Sequence, residues 1–329
     1  MMRNAVAVHF HCELESPFHT TQRKYQNLLK CAPYILGTTF RGAILGYLIE
    51  KHCTMIKIDE LKEIGSKNLI DEFHRNCERE CLAKEFFKRE NDIQFSFGMF
   101  EKKKYLQTTR ISLRREFRTA SEGALANVEC IRGGTGFTFE VILFEDLMDY
   151  IEEIREAVEF AGKYSGIGSF KSVGFGKYAV EDMKVEDLGD FLESVEYESP
   201  GNLVEIQFDT PLVFRMENLD EGRIAQMISE YLQERYCEIT QQSEFGQINL
   251  EDLSFRVKPE FIHRYSLETS QKVNRLVMDT GSRLRFDVKD MDSVASAQFR
   301  IGSRFGIGEW RNCGFGRFYQ MDEEHERND

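Results

Sequence analysis

Proline is scarce, five residues in 329, and nowhere does the chain run to about 18 uncharged apolar residues. The first shortage removes collagen-like and mucin-like readings, and the second removes a membrane-spanning helix. The N-terminal stretch MMRNAVAVHFHCELE reaches a glutamate before a signal-peptide core can form, so the expectation is a cytoplasmic protein with no membrane contact. Basic charge is short as well: 43 Lys and Arg against 56 Asp and Glu leave a net charge of −13. Polyanions therefore meet no general attraction, and any nucleic-acid contact has to be local. Eight cysteines lie far apart in a chain without an export signal, which argues for reduced core thiols rather than a disulfide framework. With 41% hydrophobic and 30% charged residues, what remains is a folded chain of about two domains at roughly 150 residues each.

A repeat organises it. Gly166 to Tyr178 reads GIGSFKSVGFGKY and Gly306 to Phe318 reads GIGEWRNCGFGRF, with Phe170 matched to Trp310 and Lys171 to Arg311. A weaker echo pairs the run ending in Ser16-Pro17 with the run ending in Thr210-Pro211. From Pro17 to Gly166 is 149 positions and from Pro211 to Gly306 only 95, so the first half carries the longer insertion. Both halves predict the same element order. Alternation at Val6, Val8 and Phe10, and at Val204, Ile206 and Phe208, predicts opening strands. Helical spacing follows at Phe40, Ile44, Tyr47 and Leu48, with Thr38 as N-cap, and at Ile224, Met227, Ile228 and Tyr231. Phe137, Phe139 and Val141 predict a strand, Leu147 to Val158 a helix ended by Gly162, and Phe175 to Val180 the last strand of the first half. In the second half the strands are Leu253 to Val257 and Leu284 to Val288, with a helix over 290–301. Strand-helix-strand twice over is the ferredoxin-like (RRM-like, βαββαβ) order of an α+β fold. The expected domains are 1–198, with an insertion around 53–118, and 202–329, joined by the acidic stretch Glu181 to Glu198.

The glycine loop is not a nucleotide fingerprint, because Lys171 and Arg311 stand where a third glycine belongs and a strand follows instead of a helix. No nucleotide cofactor is expected. Gly166, Gly168, Gly174 and Gly176, and their counterparts Gly306, Gly308, Gly314 and Gly316, have two readings: a cradle of backbone N–H groups for a phosphate beside Lys171 or Arg311, or a tight helix-to-strand turn.

The GhG-x5-GFG loop before the last strand, present twice, resembles the RAMP superfamily of CRISPR-associated proteins, whose members bind or process CRISPR RNA. PYILGTTFRGAILGYL (Pro33 to Leu48) is similar to the family's helix start, and Thr108 to Leu143 resembles a segment of type III backbone and capping subunits. The resemblance implies two ferredoxin-like domains and a type III-D-like capping subunit that holds the 5′ handle of a CRISPR guide RNA. Its implied partners are a backbone RAMP protein, a nuclease subunit and, indirectly, target RNA. The alternative within the family is a metal-independent endoribonuclease that processes precursor CRISPR RNA.

Three clusters are candidates for chemistry. Lys102, Lys103, Lys104, Arg110, Arg114, Arg115 and Arg118 concentrate positive charge against the acidic background, beside Tyr105 and Phe117 as stacking faces, and Arg41 lies in the first turn of a helix whose N-terminus attracts anions. Cys53, His74, Cys77 and Cys81 fit a structural Cys3His zinc site, against the reading that they are ordinary thiols. Under the nuclease alternative, His52 is the general base, with Lys51 or Lys57 facing the developing phosphorane charge; otherwise it is a helix-terminal residue favoured by the dipole.

Overall fold

The computed structural model describes residues 3–25, 27–53, 82–114, 119–193, 203–215, 223–241, 248–266, 271–289 and 293–321. Alternation in β1 (Ala5–Leu14) sends Val8, Phe10 and Cys12 to one face and Ala5 and Ala7 to the other, and all five are buried. The chain continues through the hairpin β2 (Thr21–Tyr25) and β3 (Leu28–Cys31), β4 (Tyr34–Ile35), α1 (Gly37–His52) and α2 (Leu82–Lys88). Next come β5 (Ile93–Phe95), β6 (Gly98–Phe100), β7 (Tyr105–Arg114), β8 (Thr119–Ile131), β9 (Gly136–Phe144), α3 (Ile151–Phe160), β10 (Tyr178–Asp187) and α4 (Gly189–Glu193). Strand β1 lies between β10 and β9, and β5 pairs β9, all antiparallel, so β1-α1-β5-β9-α3-β10 is a ferredoxin-like unit. A second sheet, β2-β3-β8-β7, grows from it.

The second unit repeats the order with β11 (Leu203–Phe208), β12 (Leu212–Val213), α5 (Ile224–Thr240), β13 (Asn249–Arg256), β14 (Pro259–Ser266), β15 (Gln271–Met278), β16 (Arg283–Lys289), α6 (Ser293–Phe305) and β17 (Phe318–Gln320). Its sheet runs β13-β16-β11-β17, the same arrangement as in the first unit, and β12-β15-β14 form a separate three-stranded sheet.

Phe40, Ile44 and Leu48 of α1 and Ile154, Ala157 and Val158 of α3 pack on Val8, Phe10, Val141 and Leu143 to make the first core. The opposite face of that sheet is covered as well. Ala5, Ala7, Ile142 and Phe144 meet Tyr236 and Ile239 of α5 and Ala297, Ile301 and Phe305 of α6, so the first unit's sheet is sandwiched between its own helices and those of the second. Buried polar groups cross this junction. Arg235 is 1% exposed; it donates to Glu238 (2.7 Å), to the Gln94 side chain (2.8 Å) and to the Phe305 carbonyl (3.1 Å), which Gln94 also reaches (2.7 Å).

Several sequence expectations shift. Helix α1 starts at Gly37 with Leu36 at the N-cap and no side-chain cap, so Thr38 lies inside the first turn. Gly162 does not end α3. The helix runs on through a π turn, Ala161–Ser165, to Gly166 at φ +65°, and Gly162 is needed because a Cβ there would stand 2.3 Å from the Tyr178 carbonyl oxygen. The last strand of the first unit starts at Tyr178 rather than Phe175, since Gly174 and Gly176 both hold positive φ. The acidic stretch is not all linker: Asp182 to Asp187 pair with β1, Glu181 is the bulge residue before them, and Leu188 is buried. The expected strand over 253–257 occupies Asn249–Arg256, and the helix expected over 290–301 occupies Ser293–Phe305. Among the described residues no helix is long and apolar enough to cross a membrane.

Candidate nucleic-acid interface

The two glycine loops have one backbone conformation. Phe170 and Trp310 both sit in the left-handed region (φ 63°, ψ 22° and φ 58°, ψ 19°), each followed by a 3-10 turn, Lys171–Val173 or Arg311–Cys313, and by a left-handed glycine, Gly174 or Gly314. Hydrogen bonds repeat as well. Ile167 N donates to Gly176 O (2.9 Å) and Gly176 N to Pro17 O (2.8 Å), as Ile307 N does to Gly316 O (3.1 Å) and Gly316 N to Pro211 O (2.9 Å). A Cβ at Gly176 or Gly316 would stand 1.8 or 2.0 Å from the carbonyl oxygen of Ile167 or Ile307, so these glycines are demanded by the turn itself. Several of the N–H groups that a phosphate cradle would use, those of Gly166, Ile167, Ser169, Gly174 and Gly176 among them, are bonded inside the fold, the pattern of a tight turn.

The settings differ. Lys171, Ser172, Val173 and Gly174 are exposed, whereas Gly306, Gly308, Cys313, Gly314 and Gly316 are buried. The second loop is wedged into the junction: a Cβ at Gly37 would stand 2.2 Å from Cys313 O, and Phe315 meets Phe97 edge-on at 4.9 Å. Arg311 reaches Glu238 through Nε (3.0 Å) and Nη2 (2.9 Å) and Gly308 O through Nη1 (3.0 Å). Gly306, Gly308, Gly314 and Gly316, expected at an RNA surface, are thus buried, and Arg311 is held by contacts with the chain itself.

The open loop is joined to the basic segment by the turn after β1. Glu15 N donates to Lys177 O (2.9 Å) and Lys177 N to Ser16 Oγ (2.8 Å) on one side, while Gly134 N donates to Leu14 O (2.6 Å) and Phe18 N to Ile131 O (2.9 Å) on the other. Arg132 N then donates to Lys104 O (2.8 Å). Exposed Lys102, Lys103, Lys104 and Arg132 consequently flank the strand end that carries Lys177, Lys171 and the loop. Tyr105, 48% exposed, stands at the start of β7. His19 braces the arrangement: it is fully buried, its ring nitrogens meet Glu129 O (2.7 Å) and Thr21 Oγ1 (2.9 Å), and its ring stacks on Phe170 at 5.3 Å. Burial lowers its pKa below the ordinary imidazole value, against the opposing hydrogen bond to Glu129. Arg110 and Arg114 fall on β7 by backbone, and Arg115 and Arg118 lie outside the described residues. Arg41 is half-buried on α1.

His52 ends α1 with Nε2 buried and without a hydrogen-bond partner among the described residues, and neighbouring Lys51 is ion-paired to Glu156. Cys53 packs half-buried against the first core; His74, Cys77 and Cys81 lie outside the described residues. Among the described residues no group of three or more His, Cys, Asp or Glu side chains is arranged to hold a metal.

Sequence reasoning missed a cleft of about 770 Å³ between the units, over the outer face of the first sheet. Its centre is Glu140, which accepts from Arg304 (2.6 and 2.9 Å) and Arg317 (2.6 Å), with His9 Nδ1 at 3.5 Å. Burial alone would raise this carboxyl; Arg317, Arg304 and His9 overcome it and hold the pKa at about 2. The available signal was a glutamate, the one charged residue, inside the mostly apolar strand FTFEVIL.

The family model of the RAMP superfamily matches residues 11–179, just over half of the chain. No curated protein sequence matches it. Among solved structures, a Type III-B Cmr-beta complex bound to cognate target RNA contains a similar chain, at 13% identity and TM-score 0.37, over 56% of this chain and 61% of that one. CRISPR associated protein Cas6 is similar at 10% identity and TM-score 0.45, over 97% of this chain and all of the other. A Cas6 product complex is similar at 11% identity and TM-score 0.46, again over 97% and 100%. The family match begins in β1 and closes just past the open glycine loop, and so takes in the whole of the surface that loop shares with the lysines around it: the chain belongs to the RAMP superfamily.

Proposed function

We propose that this chain is a guide-RNA-binding subunit of a CRISPR ribonucleoprotein effector complex, capping the 5′ handle of the RNA beside a backbone RAMP protein and a nuclease subunit. The observation that carries this reading is that backbone hydrogen bonds around the turn after β1 bring the segments bearing exposed Lys102, Lys103, Lys104 and Arg132 to the strand end that follows the loop of Lys171, so that these cations outnumber the exposed Glu15 and Glu101 beside them in a chain of net charge −13. Tyr105 supplies a stacking face beside it.

The test is binding of a repeat-derived handle RNA at several salt concentrations. Replacing Lys102, Lys103, Lys104 and Arg132 by Ala should weaken binding and reduce the slope of log affinity against log salt by about 2 to 3, from roughly 0.7 per lost contact on a single strand. An unchanged slope in a folded variant removes this surface from the interface.

The rival reading, cleavage of precursor RNA, needs His52 as base with Lys51 or Lys57 beside it. The buried Nε2 and the Lys51–Glu156 pair favour recognition over catalysis. A zinc held by Cys53, His74, Cys77 and Cys81 is a separate proposal read from spacing, checked by elemental analysis for about one zinc per chain.

A further inference from the structure

The glycine loop occurs twice with one conformation, and one of the two copies is seated. Around the seated copy, Cys313 is 5% exposed in a cluster with Tyr34, Phe97 and Val277, and Gly314 rests on the backbone of Phe95 to Phe97. Around the open copy the matching positions are far less covered: Val173 is 54% exposed and, among the described residues, no atom beyond the adjoining loop residues lies within 4 Å of where a Cβ at Gly174 would stand.

We propose that Val173 and Gly174, the apolar tip of the first loop, dock on a neighbouring protein subunit. The partner is a ferredoxin-like domain that offers what this chain offers to its own second loop: the glycine-opened first turn of a helix, as at Gly37, beside a strand end bearing an aromatic, as at Phe95 to Phe97. The inference rests on reading the chain as one subunit among RAMP-type neighbours.

Three observations carry it. The dihedral angles at Gly174 (φ 88°, ψ 12°) and Gly314 (φ 81°, ψ 11°) agree closely, so the open tip already has the shape that the seated tip uses. That shape is held in advance by Val173 N to Phe170 O (3.0 Å), Gly174 N to Lys171 O (2.9 Å) and Ser169 N to His19 O (2.7 Å), so docking orders little new chain. The exposed side chain at the tip is a valine where the seated loop has a buried cysteine, a small apolar group in both copies. Because this chain's own acceptor is filled by its second loop, a second copy cannot use that acceptor; the contact runs one way, from this chain onto a different subunit.

The experiment uses the full chain carrying Val173→Ser, an uncharged change at an exposed position that leaves neighbouring Lys171 in place. In isolation its affinity for the handle RNA should stay within twofold of wild type. Isolated from its native host through a tag on this chain, the variant should bring down RAMP-type subunits at least tenfold less well. A photo-crosslinking residue at position 173 should attach to a ferredoxin-like subunit, at the first turn of its first helix or the adjacent strand end. Unchanged subunit recovery, attachment to RNA or to any other protein surface, or lost RNA affinity would each overturn the proposal. If the wild-type chain itself brings down neither RNA nor RAMP-type subunits, the functional reading above falls with it.

Discussion

A Cβ atom at position 314 would stand 2.7 Å from the carbonyl oxygen of Phe95, so Gly314 marks where the second unit's loop rests directly on the first unit's backbone. Gly174 holds the same backbone conformation with no such contact among the described residues.

The pair separates strain from contact. Gly174→Ala has only the left-handed backbone to oppose it, a cost of about 1 kcal/mol. Gly314→Ala adds overpacking against Phe95 to Phe97 and should cost about 3 kcal/mol in total. Urea denaturation of both variants reads the difference; equal losses would mean that the second loop is not seated as described.

Glu140 gives a pH signature. Its folded pKa lies below the ordinary 4.5, at about 2, so its stabilising contribution is complete above the unfolded value and disappears as pH falls through the folded one. At 1.36 kcal/mol per unit this amounts to about 3 kcal/mol at pH 7. Glu140→Gln should therefore be destabilising by roughly that amount at pH 7 and nearly neutral at pH 2, measured as denaturation midpoints across the range. A loss independent of pH would contradict the arginine clamp.

Arg235 tests the polar seam at the junction. Burial brings its guanidinium down to about 10, opposed by Glu238. Removing it by Arg235→Ala opens a cavity, takes the arginine donor from Gln94 and leaves Glu238 with Arg311, and should cost about 3 to 5 kcal/mol. Arg235→Met, which refills the volume and leaves Glu238 to Arg311, should cost less than half as much. Thermal unfolding of the two variants decides between them.

Recognition and cleavage part on one assay. The wild-type chain should leave a repeat RNA intact in EDTA, and His52→Ala should bind guide RNA as wild type does. Cleavage yielding a 2′,3′-cyclic phosphate, slowed on the order of 100-fold by His52→Ala, would establish the nuclease instead.

The repeat and the βαββαβ order could be read from residues because both are local: six identical loop positions, and apolar spacing along strands and helices. Which loop copy stays open could not. That is decided by Gly37 and by Phe95 to Phe97, which in the sequence are one glycine at the start of a helix and the run FSF, with nothing to show that the second loop lands on them. Glu140 escaped notice for a related reason. Alternation with Phe139 and Val141 puts it on the face away from the helices, and only the docking of α6 turns that face from surface into interior. Thr38 and Gly162 were misplaced because capping and termination rules see the nearest residues, whereas Cys313 and Tyr178 lie far along the chain.

The doubly covered first sheet sets a schedule for synthesis. Ala5, Ala7, Ile142 and Phe144 leave the ribosome long before Tyr236, Ile239, Ala297 and Phe305, the side chains that cover them. At roughly 5 to 20 residues per second the delay is on the order of ten seconds, during which a nascent, half-made protein shows an apolar wall to the cell. A stop codon between β9 and α5 releases a fragment with that wall still bare.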